Sequence, residues 1–173
     1  MTHFPSGEAR MTARSRRTAL TTWLPWMERA RAEAERALVT GDIPVGALLL
    51  DADQNLLAAA CNGRERDGDA TAHAELLALR DASRALGRWR LDGCTLVCTL
   101  EPCLMCAGAL LNARVACLVY GADEPRMGAV RSRYAVLDDP RLNHRVEVIR
   151  GIDEPACAAQ LRAFFAALRP SSS

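Results

Sequence analysis

Two short clusters of potential metal ligands constrain this chain more than any other feature of its sequence. They are His73-Ala74-Glu75 and, about thirty residues later, Pro102-Cys103-Leu104-Met105-Cys106. Zinc takes four tetrahedral ligands, and one imidazole with two thiolates leaves the fourth position open to water, as in catalytic sites. We therefore predict a fold that brings both clusters to one hydrolytic zinc ion.

Glu75 is the acidic residue of the first cluster, and its expected role is not that of a ligand. It lies two residues from His73, which is too close for both side chains to hold one metal comfortably on a regular helix. It can instead hydrogen-bond the water at the metal and carry a proton from that water to a substrate nitrogen. A His-x-Glu pair followed by Pro-Cys-x-x-Cys is typical of zinc enzymes that deaminate nucleobases. The sequence therefore predicts Glu75 as the catalytic residue.

Length and composition set bounds on the domain organisation. A chain of 173 residues with 50% hydrophobic content fits one domain with a real core. We assign a single zinc-dependent domain to residues 21–170, and we expect a disordered extension at 1–20 and a disordered tail at 171–173. Because the 22 basic residues nearly balance the 21 acidic ones, the net charge of +1 offers no general attraction for nucleic acid.

The seven cysteines are expected to be reduced thiols, because the chain shows neither a secretory signal nor the composition of a small disulfide scaffold. The stretch Ser15-Arg16-Arg17 resembles a twin-arginine export signal, but the residues that follow Trp26 are charged where such a signal is apolar. No apolar run approaches the roughly 20 residues that span a bilayer. We therefore expect a cytoplasmic protein without a membrane partner.

Hydrophobic patterns along the chain alternate between helix and strand. Helices are predicted at about 23–40, 72–86, 103–112 and 155–168. Strands are predicted at about 45–50, 56–61, 94–99, 115–120 and 145–149, the first two forming a hairpin. Strands and helices that alternate with short connections favour an α/β domain in which one sheet is covered on both faces.

The predicted helices place both ligand clusters at helix starts. His73 falls at the start of one helix, and the i, i+3 spacing of Cys103 and Cys106 puts both thiols on one face of the next. Helix N-termini carry partial positive charge, which lowers thiol pKa values and favours the thiolates that zinc requires. Two helix starts can therefore converge on a single metal.

The Cys-x-x-Cys pair alone leaves other interpretations open. A redox dithiol also lies at a helix start, although the preceding Glu101-Pro102 and the accompanying His-x-Glu disfavour it. A closed structural site would use Cys98 as a fourth ligand and would make the protein a zinc-stabilised binding module. Because Cys98 lies in an apolar run, where a free cysteine behaves as a small hydrophobic residue, the open site is favoured.

Further motifs extend a family likeness well beyond the metal ligands. The stretches that carry it are Ile43-Pro44-Val45-Gly46-Ala47, Asn62, Thr71-Ala72-His73-Ala74-Glu75, Thr99-Leu100-Glu101-Pro102-Cys103-Leu104-Met105-Cys106-Ala107-Gly108-Ala109, Tyr120-Gly121-Ala122 and Asn143-His144-Arg145-Val146-Glu147. With these stretches the chain resembles the bacterial tRNA adenosine deaminases from about Trp26 to Phe165. The zinc motif is shared across the wider cytidine deaminase superfamily, whereas the other stretches indicate this branch.

The resemblance implies a three-layer α/β/α cytidine-deaminase-like fold with a central mixed five-stranded sheet, assembled as a homodimer. It also implies one zinc ion per subunit, held by His73, Cys103 and Cys106, with Glu75 moving the proton. The implied reaction converts the wobble adenosine of an arginine tRNA anticodon to inosine and releases ammonia. A tRNA anticodon stem-loop is the implied partner, and no DNA partner is expected.

The resemblance also implies which residues hold the substrate. Asn62 and the backbone of Ala74 are expected to hold the flipped base. Five residues farther from the metal are expected to contact the anticodon loop, namely Glu124, Arg126, Asn143, Arg145 and Phe165.

Three positions depart from the family pattern. Glu124 stands where Asp is usual, Ala70 where a Pro commonly precedes Thr71, and Met127 where a small polar residue is usual. These departures leave the metal ligands and Glu75 untouched, but they leave the contacts with RNA open. The alternative interpretation is a related zinc deaminase that acts on a free base or nucleotide of the guanine or cytosine type.

Overall fold

A mixed sheet of five strands lies at the centre of the protein. The computed structural model describes residues 13–168. Its strands are β1 (Gly46–Leu50), β2 (Leu56–Cys61), β3 (Thr95–Leu100), β4 (Cys117–Ala122) and β5 (Glu147–Arg150). Its α-helices are α1 (Ala13–Glu35), α2 (Arg64–Asp67), α3 (Ala74–Leu86), α4 (Leu104–Asn112) and α5 (Glu154–Ala167). Short 3-10 turns lie at Arg36–Thr40 and Val136–Asp138.

The order of the strands across the sheet is β2-β1-β3-β4-β5. The β1 strand is antiparallel to β2 and β3, whereas β3, β4 and β5 run parallel to one another. Parallel neighbours need a crossover connection, and α4 supplies it between β3 and β4. The predicted mixed sheet of five strands is confirmed.

Helices cover both faces of the sheet. Alternate strand residues point to opposite faces, so Leu49 and Leu96 pack with residues of α3 and α4. Leu48 and Val97 pack on the other face with residues of α1 and α5. The predicted three-layer α/β/α arrangement is therefore confirmed.

The first helix is longer than predicted. The α1 helix begins at Ala13 rather than near Trp23, so the predicted extension at 1–20 overlaps it. Its first residues are rich in Ala and Arg, which have high helix propensity, but they lack the apolar periodicity that marks a packed helix. Residues 1–12 and 169–173, which include the predicted tail, lie outside the described residues.

Two strands begin later than predicted. The β4 strand starts at Cys117 and β5 at Glu147, each two residues beyond the predicted start. Val115 and Val146 are buried just before these strands but do not join the ladder. Apolar character alone therefore did not separate the strands from the buried residues that lead into them.

Gly46 allows a close approach between α1 and the sheet. A methyl group at this position would lie 2.0 Å from the carbonyl oxygen of Ala30 and 2.7 Å from the backbone nitrogen of Ala34. Both are backbone atoms of α1, so neither can turn away as a side chain would. The Gly46 N–H also donates to the Thr99 hydroxyl at 3.1 Å, a buried bond between β1 and β3.

We predict that Gly46→Ala lowers the free energy of unfolding by about 2 to 4 kcal/mol, because α1 must move away from β1 to admit the methyl group. Equilibrium urea denaturation measures this change. Gly108→Ala on α4 is the matched control, since nothing lies within 4 Å of the added carbon. Its stability should stay within about 1 kcal/mol of the wild type. Equal stabilities of the two variants would contradict the packing described for Gly46.

Candidate metal centre and active site

Two helix N-termini carry the predicted metal ligands. His73 is the N-cap residue of α3, Cys103 is the N-cap residue of α4, and Cys106 lies in the first turn of α4. The His73 imidazole and the Cys103 thiol face each other across the gap between the two helix ends.

The three ligand atoms lie at distances that suit a tetrahedral zinc ion. The His73 Nδ1 atom is 3.7 Å from Cys103 Sγ and 3.5 Å from Cys106 Sγ, and the two sulfurs are 3.7 Å apart. Zinc bonds of about 2.3 Å to sulfur and about 2.0 Å to nitrogen require separations of about 3.8 Å between sulfurs and about 3.5 Å between nitrogen and sulfur. The donor set and its spacing therefore fit zinc, and the metal would be held at this point.

The two thiols of the group differ in proton affinity. The adjacent Cys106 thiol lowers the pKa of Cys103 to about 3. The same contact and burial raise the pKa of Cys106 far above that of a free thiol. The Cys103 sulfur raises the pKa of His73. Zinc binding at this site must therefore release protons, because every ligand has to be deprotonated.

Cys98 does not complete a closed site. It is fully buried in β3, and its thiol donates to the Leu100 carbonyl oxygen at 3.2 Å. Within residues 13–168, the group that could hold a metal consists of His73, Cys103 and Cys106. The centre offers three protein ligands and not the four of a structural Cys3His site.

Glu75 lies beside this group in the first turn of α3 and is 4% exposed. Burial raises the pKa of its carboxyl group, which also interacts with His73 and with the Cys106 side chain. A carboxyl group with a raised pKa takes up and releases a proton closer to neutral pH. The arrangement therefore supplies a proton carrier next to the metal position.

The two residues predicted to hold the base lie near the start of α3. Ala74 is the first residue of α3 and is fully buried, and Asn62 follows β2 directly and is 6% exposed. The backbone N–H of Gly63 donates to the Ala72 carbonyl at 2.9 Å. This bond joins the segment after Asn62 to the segment before His73, so Asn62 and Ala74 both lie next to the segment that carries His73.

The other five predicted substrate residues lie on three other segments of the chain. Glu124 and Arg126 belong to the 123–134 loop after β4, where a Glu124 carboxylate oxygen accepts the Arg126 backbone N–H at 2.9 Å. Asn143 and Arg145 lie in the exposed segment before β5, and Phe165 near the end of α5 is 43% exposed.

Among these residues, Asn143 already has a protein partner. Its side-chain oxygen accepts a bond from the Arg114 guanidinium at 2.8 Å. The Nε2 ring nitrogen of the neighbouring His144 lies 2.7 Å from the Val115 carbonyl oxygen. This contact gives His144 a structural role. Both contacts fix the segment before β5 to the residues that follow α4.

Sequence reasoning assigned no role to Glu101, the residue two before Cys103. It is 2% exposed, and its carboxylate accepts backbone N–H bonds from the 123–134 loop. Burial alone would raise the pKa of Glu101, but these bonds and the Ser132 hydroxyl outweigh burial and lower it. The available signal was an acidic residue directly after the buried strand Thr95–Leu100.

The geometry agrees with comparisons with known proteins. The cytidine and deoxycytidylate deaminase zinc-binding region matches residues 22–122, which include the three ligands and Glu75. The tRNA-specific adenosine deaminase of Bacillus subtilis is 43% identical over 144 residues, covering 83% of this chain and 89% of that protein. The chain belongs to this family of zinc deaminases.

Solved structures of other deaminases share the fold. One from a study of A-to-I editing by tRNA:A34 deaminases at the wobble position of transfer RNA has a TM-score of 0.75 and 40% identity, covering 79% of this chain and 98% of that one. A guanine deaminase from Nitrosomonas europaea has a TM-score of 0.65 and 27% identity, covering 90% of this chain and 85% of that one. The deaminase is thus more similar in sequence to the tRNA-acting relative.

We predict that Glu75→Gln keeps one zinc ion per chain but loses at least about a thousandfold in turnover, because the amide cannot carry the proton. Cys106→Ala should instead lose the metal, since only two ligands remain. Zinc content by inductively coupled plasma mass spectrometry, with ammonia release, separates the two effects. Cys98→Ala is the control and should keep both zinc and turnover. Loss of zinc from Cys98→Ala would contradict the three-ligand centre.

Proposed function

We propose that this deaminase hydrolyses adenosine to inosine at the wobble position of a tRNA anticodon, that of an arginine tRNA, and releases ammonia. The observation that carries the proposal is the three-ligand group with the buried Glu75 beside it, in a chain that belongs to the zinc deaminases. The likeness to tRNA-specific adenosine deaminases supports the choice of substrate.

The residues of the site divide the chemistry between them. When bound, zinc acts as a Lewis acid that makes water a nucleophile near neutral pH. Glu75 accepts a proton from the attacking water and donates it to the ring nitrogen next to the carbon that loses its amino group. It then passes the remaining hydroxyl proton to the amino group, which leaves as ammonia. Asn62 and the backbone of Ala74 hold the base in place. Adenosine and water become inosine and ammonia.

An anticodon loop suits this buried site. The base must leave its stack to reach a carboxyl group that is 4% exposed, and a loop nucleotide is already partly unstacked. Arg126, Arg145 and the exposed ring of Phe165 supply charge and a stacking surface for the surrounding nucleotides, with Glu124 and Asn143 as polar contacts. We place the enzyme in the cytoplasm, where tRNA resides, and no described helix has the length and apolar character of a membrane span.

The direct test incubates the zinc-loaded enzyme with an arginine tRNA anticodon stem-loop that has adenosine at the wobble position. Sequencing the product should show inosine, read as guanosine, at that position. A matched stem-loop with the adenosine moved to the neighbouring position is the control and should remain unconverted, because only the wobble base is expected to reach the metal centre and Glu75. No conversion of either RNA, together with ammonia release from free guanine or cytosine, would favour the small-substrate alternative and contradict the proposal.

We further propose that two chains form a homodimer through the surface between α3 and α4. An apolar groove there includes Leu79, Trp89 and Ala109, and Trp89 is 61% exposed. Exposed apolar surface of this kind marks interaction sites, because burying it removes it from water. Leu104, at the start of α4, adds a further side chain that is 45% exposed.

Sedimentation velocity should give twice the 18.8 kDa chain mass for the wild type. Trp89→Glu should shift the enzyme toward the monomer, because it places a charge in the apolar contact. Val39→Glu is the matched control, since Val39 is 89% exposed at the end of a different helix. A monomeric wild type at micromolar concentration, or equal dissociation of the two variants, would contradict the proposed interface.

A further inference from the structure

One buried carboxylate organises the backbone of the 123–134 loop. One oxygen of Glu101 accepts the backbone N–H groups of Val130, Arg131 and Ser132 at 3.2, 2.7 and 2.9 Å. Its other oxygen accepts the Glu124 N–H at 2.9 Å and the Ser132 hydroxyl. Both ends of the loop are therefore held by a single side chain.

The same loop packs directly on the segment that carries a metal ligand. The Ala129 N–H donates to the Pro102 carbonyl at 2.8 Å, and Gly128 pairs with Cys103 in an isolated antiparallel bridge. A methyl group on Gly128 would lie 2.4 Å from Glu101 carboxyl atoms. The loop backbone thus closes tightly around the carboxylate, and Gly128 leaves the space for it.

The outer side of the loop remains open to solvent. Arg126 and Arg133 are exposed, and Met127 is 59% exposed. Several backbone N–H groups of the loop hydrogen-bond to Glu101, so the position of these outer side chains depends on that carboxylate. Surface loops are usually mobile. Several hydrogen bonds to one carboxylate order this loop in advance, so the loop loses less conformational entropy when a ligand binds.

We propose that Glu101 is a positioning residue, which holds the 123–134 loop in the conformation that receives the RNA. It acts through the loop and does not touch the metal or the reacting base. This inference rests on the proposed function, because it takes the loop as part of the RNA-binding surface.

The role requires a carboxylate and not merely a polar group. Each of the two oxygens accepts at least one backbone N–H. An amide at this position has one oxygen and one NH2 group, so either orientation places a donor against a donor. Unpaired buried donors are costly, and the loop should open to hydrate them.

The test compares the wild type with Glu101→Gln on the anticodon stem-loop, with both enzymes loaded with zinc. We expect KM to rise about tenfold or more and kcat at saturating RNA to stay within about threefold, because only the binding surface is displaced. Zinc content should be unchanged. Hydrogen exchange followed by mass spectrometry should show faster exchange confined to residues 123–134.

Asp51→Asn is the matched control. Asp51 also accepts backbone N–H bonds, from Asp53 and Asn55, but it does so in the turn between β1 and β2. Replacing the Asp51 carboxylate by an amide should leave KM for the RNA unchanged. If Glu101→Gln does not fold, Ser132→Ala removes one donor to the same carboxylate and should raise KM about threefold.

Two results overturn the inference. One is a Glu101→Gln enzyme with wild-type KM and unchanged exchange in the loop. The other is loss of zinc from that variant, which would place Glu101 in the support of the metal and not of the loop. If the wild type fails to convert RNA, the proposed function fails instead, and exchange in residues 123–134 still decides whether Glu101 holds the loop.

Discussion

The structure depends on the meeting of two helix N-termini at one point on one side of the sheet. The α3 and α4 helices both pack on the same face of the sheet. His73 and Cys103 lie at their N-termini, and the His73 Nδ1 atom is 3.7 Å from the Cys103 sulfur. The parallel pairing of β3 with β4 requires the α4 crossover and so fixes where Cys103 and Cys106 lie. Without that pairing, His73 and Cys103, which are 30 residues apart in sequence, would not lie close enough to bind one metal.

One short segment of chain holds both a candidate metal ligand and the residue that anchors the 123–134 loop. Glu101 and Cys103 are separated by one proline, so the anchor of the 123–134 loop and a metal ligand sit on the same stretch after β3. The two residues have separate contacts, because the Glu101 carboxylate bonds to the backbone of the loop and the Cys103 sulfur faces His73 and Cys106. In the proposed function, the stretch after β3 therefore supports both a metal ligand and the loop that would receive the RNA.

The sequence predicted the core of the site well, because ligand identity and spacing are local properties. The helix starts near His73 and Cys103 and a sheet covered on both faces followed from apolar periodicity and motif spacing, whereas the mixed sheet of five strands followed from the family resemblance. The extra length of α1 was missed, because Ala and Arg favour a helix without marking a buried face. The role of Glu101 was also missed, since its partners are backbone groups more than twenty residues away, and backbone N–H groups leave no trace in sequence.

X-ray absorption at the zinc edge of the wild-type enzyme tests the central claim, a metal with three protein ligands and one open position. We expect two sulfurs at about 2.3 Å, one imidazole nitrogen at about 2.0 Å and one further light atom from water. Three sulfurs in the zinc shell would contradict it, because a third thiol would close the centre and leave no position for the reacting water.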